Sequence, residues 1–112
     1  MTNAFELDRN EDVITWVKND HIGFEILYIF QGIIHKYRPD FLIKLKNGIN
    51  IVLETKGQDS LKDRTKRSFL NEWVEAVNQH GGFGKWTWAL SKDPTDVQGI
   101  IHKMMGDENT NY

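Results

Sequence analysis

The sequence predicts a mixed α/β domain with a β-sheet between helices. Three observations predict it. Two alternating apolar segments, Phe41 to Leu45 and Ile49 to Leu53, flank a Lys46-Asn47-Gly48 turn and read as a β-hairpin. After Ser60 the apolar period lengthens to that of a helix, through Leu61, Phe69, Leu70, Trp73, Val74 and Val77. Trp86 to Ser91 then alternates again as a strand.

The remaining elements follow in order. Val13, Ile14, Trp16 and Val17 have helical spacing, which predicts a helix over about Asn10 to Asn19. Phe24 to Phe30 is a short apolar run and predicts a strand, Gln31-Gly32 a turn, and Ile33 to Tyr37 a second extended stretch. Residues 61–79 are expected to form an amphipathic helix, with Ser60 as N-cap and Asp63 in its first turn, stopped by Gly81 and Gly82. Pro94 can open a final helix to about Met105. A single domain over residues 1–105 and a flexible tail over 106–112 are expected.

Composition narrows the function. With 112 residues the chain has room for one core. Hydrophobic residues make up 39% and charged residues 27%, as in an ordinary globular domain. No apolar run approaches the ~20 residues of a membrane span, so no membrane partner is expected. There is no cysteine, which excludes disulfides, thiolate zinc sites and cysteine nucleophiles, and fits the cytoplasm. Fourteen Lys and Arg against sixteen Asp and Glu give a formal net charge of −2, so a nucleic-acid contact must be a local patch. His21, His35, His80 and His102 lack metal-ligand spacing. Gly81-Gly82-Phe83-Gly84 lacks the Gly-Lys-Ser/Thr ending of a P-loop and reads as a helix-to-strand connection, with Asn78 bracing it. Trp73, Trp86 and Trp88 are expected in the core.

The chemistry lies at the open end of the hairpin. A three-residue loop with Gly48 in the left-handed position pairs Leu45 with Ile49. That register puts Phe41, Ile43, Leu45, Ile49, Ile51 and Leu53 on one apolar face, and it sets Asp40 opposite Glu54. Two directly opposed carboxylates, ~5 Å apart at Cβ, repel unless a cation neutralises them. Oxygen ligands with water completing the shell suit Mg²⁺. Lys56 shares a face with Glu54, and Thr55 between them offers a carbonyl as a further ligand. The implied chemistry is metal-assisted phosphodiester hydrolysis. The bland alternative is a solvated strand end carrying an ordinary ion pair. Arg38, Gln58, Lys62, Lys66 and Arg67 are candidate DNA contacts, and for the helix cations a solvated face with an Asp63–Arg67 pair is the alternative.

Pro39-Asp40 followed by Glu54-Thr55-Lys56 resembles the PD-(D/E)xK nuclease superfamily. A longer likeness runs through Lys18-Asn19-Asp20, Gly23-Phe24, Tyr37 to Phe41, Leu53 to Gly57, Trp73, Ala76-Val77-Asn78 and Gly81 to Trp86. It is similar to the C-terminal endonuclease domain of type III restriction enzyme restriction subunits and related helicase-nucleases. The resemblance implies a restriction-endonuclease-like mixed sheet flanked by helices, in the order αβββαβ. It implies that Asp40, Glu54 and Lys56 are catalytic, that Asp40, Glu54 and Thr55 hold Mg²⁺ or Mn²⁺, and that the substrate is double-stranded DNA. The implied partners are a helicase motor of the same polypeptide and a DNA methyltransferase subunit, in a prokaryotic cytoplasm. The chain is then expected to be a C-terminal fragment. Glu6 and Glu11 are the candidates here for the helix glutamate of many superfamily members, which is expected to lie further upstream. A non-catalytic docking module of the same fold, or a superfamily nuclease acting in repair, are the alternatives.

Overall fold

The computed structural model describes residues 2–20, 22–55 and 60–106. Lys56, Gly57, Gln58, His21 and tail residues 107–112 lie outside them. The order is α1 (Asn3–Asp8), β1 (Val13–Lys18), β2 (Ile26–Phe30), β3 (Ile33–Tyr37), β4 (Phe41–Leu45), β5 (Ile49–Thr55), α2 (Leu61–His80), β6 (Lys85–Ser91), a short 3₁₀ turn (Pro94–Asp96) and α3 (Val97–Gly106). The domain is mixed α/β, as expected. Its strands form a four-stranded sheet, β1-β4-β5-β6, and a separate β2-β3 hairpin.

The central hairpin has the expected register. Phe41 pairs with Leu53, Ile43 with Ile51 and Lys44 with Asn50. Gly48 has φ +89°, and its N–H donates to the Leu45 carbonyl at 3.0 Å. Because that backbone conformation disfavours a Cβ, Gly48→Ala should cost about 1 kcal/mol in a urea melt. β5 continues through α2 into β6, which runs parallel to it from Ile49↔Lys85 to Thr55↔Ser91. This β5-α2-β6 crossover leaves the carboxyl ends of two parallel strands together at one end of the sheet.

The two faces of the sheet have separate cores. On one face Phe41, Ile43, Leu45, Ile49, Ile51 and Leu53 are buried against Leu7 of α1 and Val97 and Ile101 of α3. On the other, Val52 is buried with Leu70 and Val74 of α2 and Ile26, Tyr28 and Tyr37 of the β2-β3 hairpin. Trp73, Trp86 and Trp88 are half-buried against this second core, as expected, with Trp73 and Trp86 edge to face at 5.5 Å. Ser60 caps α2 by accepting from Asp63 N, and Gly81 ends it with φ +76°. Asn78 braces the 81–84 connection, donating to the Trp86 carbonyl and accepting from Trp86 N at 2.8 Å each. Among the described residues, no helix is long and apolar enough to cross a membrane.

The helix expected over Asn10 to Asn19 is not formed. Val13–Lys18 is strand β1, paired antiparallel with β4 at the sheet edge. A register shift between Val13 and Thr15 explains the misleading spacing. A bulge inserts one residue, so Val13 and Trp16, three apart, both pack on the first core while Ile14 is exposed. The β-branched run Val13, Ile14, Thr15 favours the extended state. The order αβββαβ is corrected accordingly: five strands precede α2, and the short α1 and the final α3 lie together on one face.

Candidate active site

The β3-β4 connection carries the first carboxylate. Asn19, just past β1, is buried, and its Nδ2 donates to the carbonyls of Phe24 (2.8 Å) and Pro39 (2.9 Å). Its backbone N–H donates to the Asp40 carbonyl at 2.8 Å, continuing the β1-β4 ladder. The Pro39-Asp40 step is therefore held from one side by a single asparagine. On the other side, Thr55 donates to Asp40 Oδ2 through its backbone N–H at 2.9 Å and through Oγ1 at 2.7 Å.

The β4-β5 register, extended by one step, sets Asp40 opposite Glu54, and the two carboxyl groups interact electrostatically. Glu54 Oε2 also accepts a hydrogen bond from the Tyr37 hydroxyl. Tyr37 is buried at the end of β3, and Lys66 of α2 holds its ammonium 5.7 Å from the Tyr37 ring centre. β3, β4, β5 and α2 thus converge at one corner of the sheet.

Electrostatics make the corner unusual. Burial, the largest cause, raises the Glu54 carboxyl from its ordinary 4.5 to about 7. The Tyr37 hydrogen bond and the Lys66 charge oppose the rise; Asp40 adds to it by its charge. Burial, followed by the Glu54 hydrogen bond and charge, holds the Tyr37 phenol well above its usual range, so it stays a donor. A raised folded-state pKa stabilises the fold most below the unfolded value and loses that contribution as pH rises through about 7. After allowance for partial exposure, the loss by pH 8 amounts to about 1–2 kcal/mol. Glu54→Gln should therefore flatten the pH dependence of urea denaturation between pH 5 and 8 in EDTA. An unchanged slope would show that this carboxyl titrates normally.

The other sequence candidates distribute as follows. Lys66 lies beside the Tyr37 ring, and its ion pair is with Asp63 at 3.7 Å. Asp63 also feels the charge of Arg67, and Arg67 acts electrostatically on Tyr37. Arg38 is exposed and donates to Glu25 Oε2 at 2.7 Å. Lys62 is exposed on the first turn of α2. Lys56 and Gln58 lie outside the described residues. Glu6 is buried on α1 and accepts from Gln98 Nε2 at 3.1 Å, with Arg9 at 3.5 Å; Glu11 is exposed. Among the described residues no three or more His, Cys, Asp or Glu side chains group as a metal site. Among the described residues, the acidic side chains placed at this corner are Asp40 and Glu54.

Comparison with protein-family models, curated proteins and solved structures gives no match to this chain. The functional reading rests on the site itself.

Sequence reasoning passed over Tyr37 and Asn19 as functional residues. A buried tyrosine needs a partner for its hydroxyl. Its place three residues before Asp40, at the inward end of an alternating strand, was the available signal. Asn19 carries a weaker signal: a polar side chain buried just after a strand must satisfy its amide on neighbouring backbone.

Proposed function

We propose that this domain is a divalent-metal-dependent DNA endonuclease with a restriction-endonuclease-like sheet, similar to the cleavage domain of type III restriction enzymes. The observation that carries the reading is the register of β4 and β5, which brings Asp40 against Glu54 at a half-buried sheet corner. Two opposed carboxyl groups there fit a hard divalent cation: both offer oxygen, and a cation would relieve the repulsion that burial intensifies.

Asp40 and Glu54 would hold Mg²⁺ or Mn²⁺, with the Thr55 carbonyl as a third candidate. When bound, the ion supplies Lewis acidity toward a phosphodiester oxygen and activates water. The chain's own residues do the rest. Thr55 fixes Asp40 through two hydrogen bonds, and Asn19 fixes the backbone that carries it. Lys56, next but one to Glu54 in sequence, positions the attacking water or helps deprotonate it, or stabilises the negative charge developing on the phosphate. Lys66 places a second cation over Tyr37, beside the same corner. Double-stranded DNA is the substrate, with Arg38, Gln58, Lys62, Lys66 and Arg67 as backbone contacts. The helicase motor and the methyltransferase subunit are its partners in this reading.

The test is conversion of supercoiled plasmid to nicked and linear forms, by the wild-type chain and by Lys56→Ala, in Mg²⁺ and in EDTA. Circular dichroism confirms that both are folded. The expected result is cleavage by the wild type in Mg²⁺ alone. Equal cleavage by Lys56→Ala would remove the lysine from the mechanism.

A further inference from the structure

We propose that Tyr37 is a positioning residue that prepares Glu54 to ligate a divalent cation with one carboxylate oxygen. The inference rests on the metal-dependent reading above and names the side chain that sets the geometry of its site. Tyr37 is only 4% exposed, packed in the second core with Ile26, Tyr28, Val52, Leu70 and Val74. Its ring therefore has one available place, and its hydroxyl donates from there to Glu54 Oε2. Thr55 acts in parallel on Asp40, where Oδ2 accepts from both N and Oγ1. An oxygen accepting two hydrogen bonds has used both lone pairs, so Asp40 has Oδ1 to offer a cation. The phenol engages Oε2 with one hydrogen bond, so Oε1 is the Glu54 oxygen it leaves untouched. One oxygen of each carboxylate is thus tied to the protein.

The phenol matters beyond packing because a ligating carboxylate left to rotate loses orientation as well as a hydrogen bond. Outer partners of this kind change metal affinity roughly 10–100-fold when removed. Lys66, 5.7 Å from the ring centre, adds a cation–π contact that steadies the ring.

The test is a titration of the full chain with Mn²⁺, following the free ion by electron paramagnetic resonance, for wild type and Tyr37→Phe. Near-ultraviolet circular dichroism checks the fold. The expected result is binding by the wild type and roughly 10–100-fold weaker binding by Tyr37→Phe, which retains the ring. Equal or tighter binding by the variant overturns the proposal, since the phenol would then be idle or a competitor of the ion. A second measurement does not depend on the variant folding: the Tyr37 hydroxyl proton, followed by NMR in the wild type, should stay hydrogen-bonded when Mg²⁺ saturates the site. Its release on Mg²⁺ addition overturns the proposal. Absence of any Mn²⁺ binding by the wild type overturns the metal-dependent reading itself and this inference with it.

Discussion

Asp40→Asn is expected to lower metal-dependent plasmid cleavage by at least about a thousandfold while leaving the domain folded. The substitution keeps the shape of the side chain. The carboxamide oxygen can still accept from Thr55 N and Oγ1, the two bonds that fix Asp40 in place. What is lost is one of the two carboxylates proposed to hold the ion. Several kcal/mol of transition-state charge stabilisation depend on the ion, and each 1.36 kcal/mol corresponds to a factor of ten in rate. The variant should also bind Mn²⁺ far more weakly, with a melting temperature within a few degrees of the wild type. Cleavage within tenfold of wild type would mean that Asp40 holds the β4-β5 junction together and takes no part in chemistry.

The largest stability effect is expected at Ile51. This residue sits at the centre of β5, fully buried on the face covered by α1 and α3, and is paired with Ile43 of β4 and Thr87 of β6. Both neighbours in the sheet are fixed by backbone ladders, so the walls of the cavity left by Ile51→Ala cannot close in. A cost of about 3 kcal/mol is expected, at the middle of the range for such truncations. Differential scanning calorimetry should record a fall of roughly 10 °C in melting temperature. A cost under about 1 kcal/mol would show that the first core repacks around the truncated side chain. Because β5 carries Glu54 three residues further on, some loss of metal affinity should accompany the loss of stability.

The parts of the fold that were legible in the sequence are those where pattern and turn chemistry agree. Phe41, Ile43 and Leu45 alternate with Leu42 and Lys44, Ile49, Ile51 and Leu53 alternate with Asn50 and Val52, and only one loop geometry keeps both sets on one face. That constraint alone yields the pairing of Asp40 with Glu54, before any contact is seen. α2 was legible for a similar reason: Ser60, the apolar stripe and Gly81 mark its start, face and end consistently. β1 was not legible, because its bulge gives a strand the three-residue spacing of a helix, and no local signal marks the inserted Ile14. The roles of Tyr37 and Asn19 were hidden for another reason. Each acts through a partner distant in sequence, Glu54 in one case and Pro39 in the other, and pattern within one segment cannot show such a bond.

Glu54 links the structural and chemical accounts. Its carboxyl is raised to about 7 by burial, with Asp40 adding to the rise, so at pH 8 its negative charge is only partly compensated by the Tyr37 hydrogen bond and the Lys66 charge. A divalent cation is the group that would. Mg²⁺ should accordingly raise the stability of the wild type at pH 8 and leave Glu54→Gln nearly unaffected, in thermal melts with and without EDTA.

The central claim is that the Asp40–Glu54 pair is a metal site. The most direct measurement is an anomalous difference map from crystals of the chain soaked in Mn²⁺. A peak is expected between the Asp40 and Glu54 carboxylates, absent from crystals of Asp40→Asn. A map with no peak at that corner, or a peak there that persists in Asp40→Asn, would contradict it.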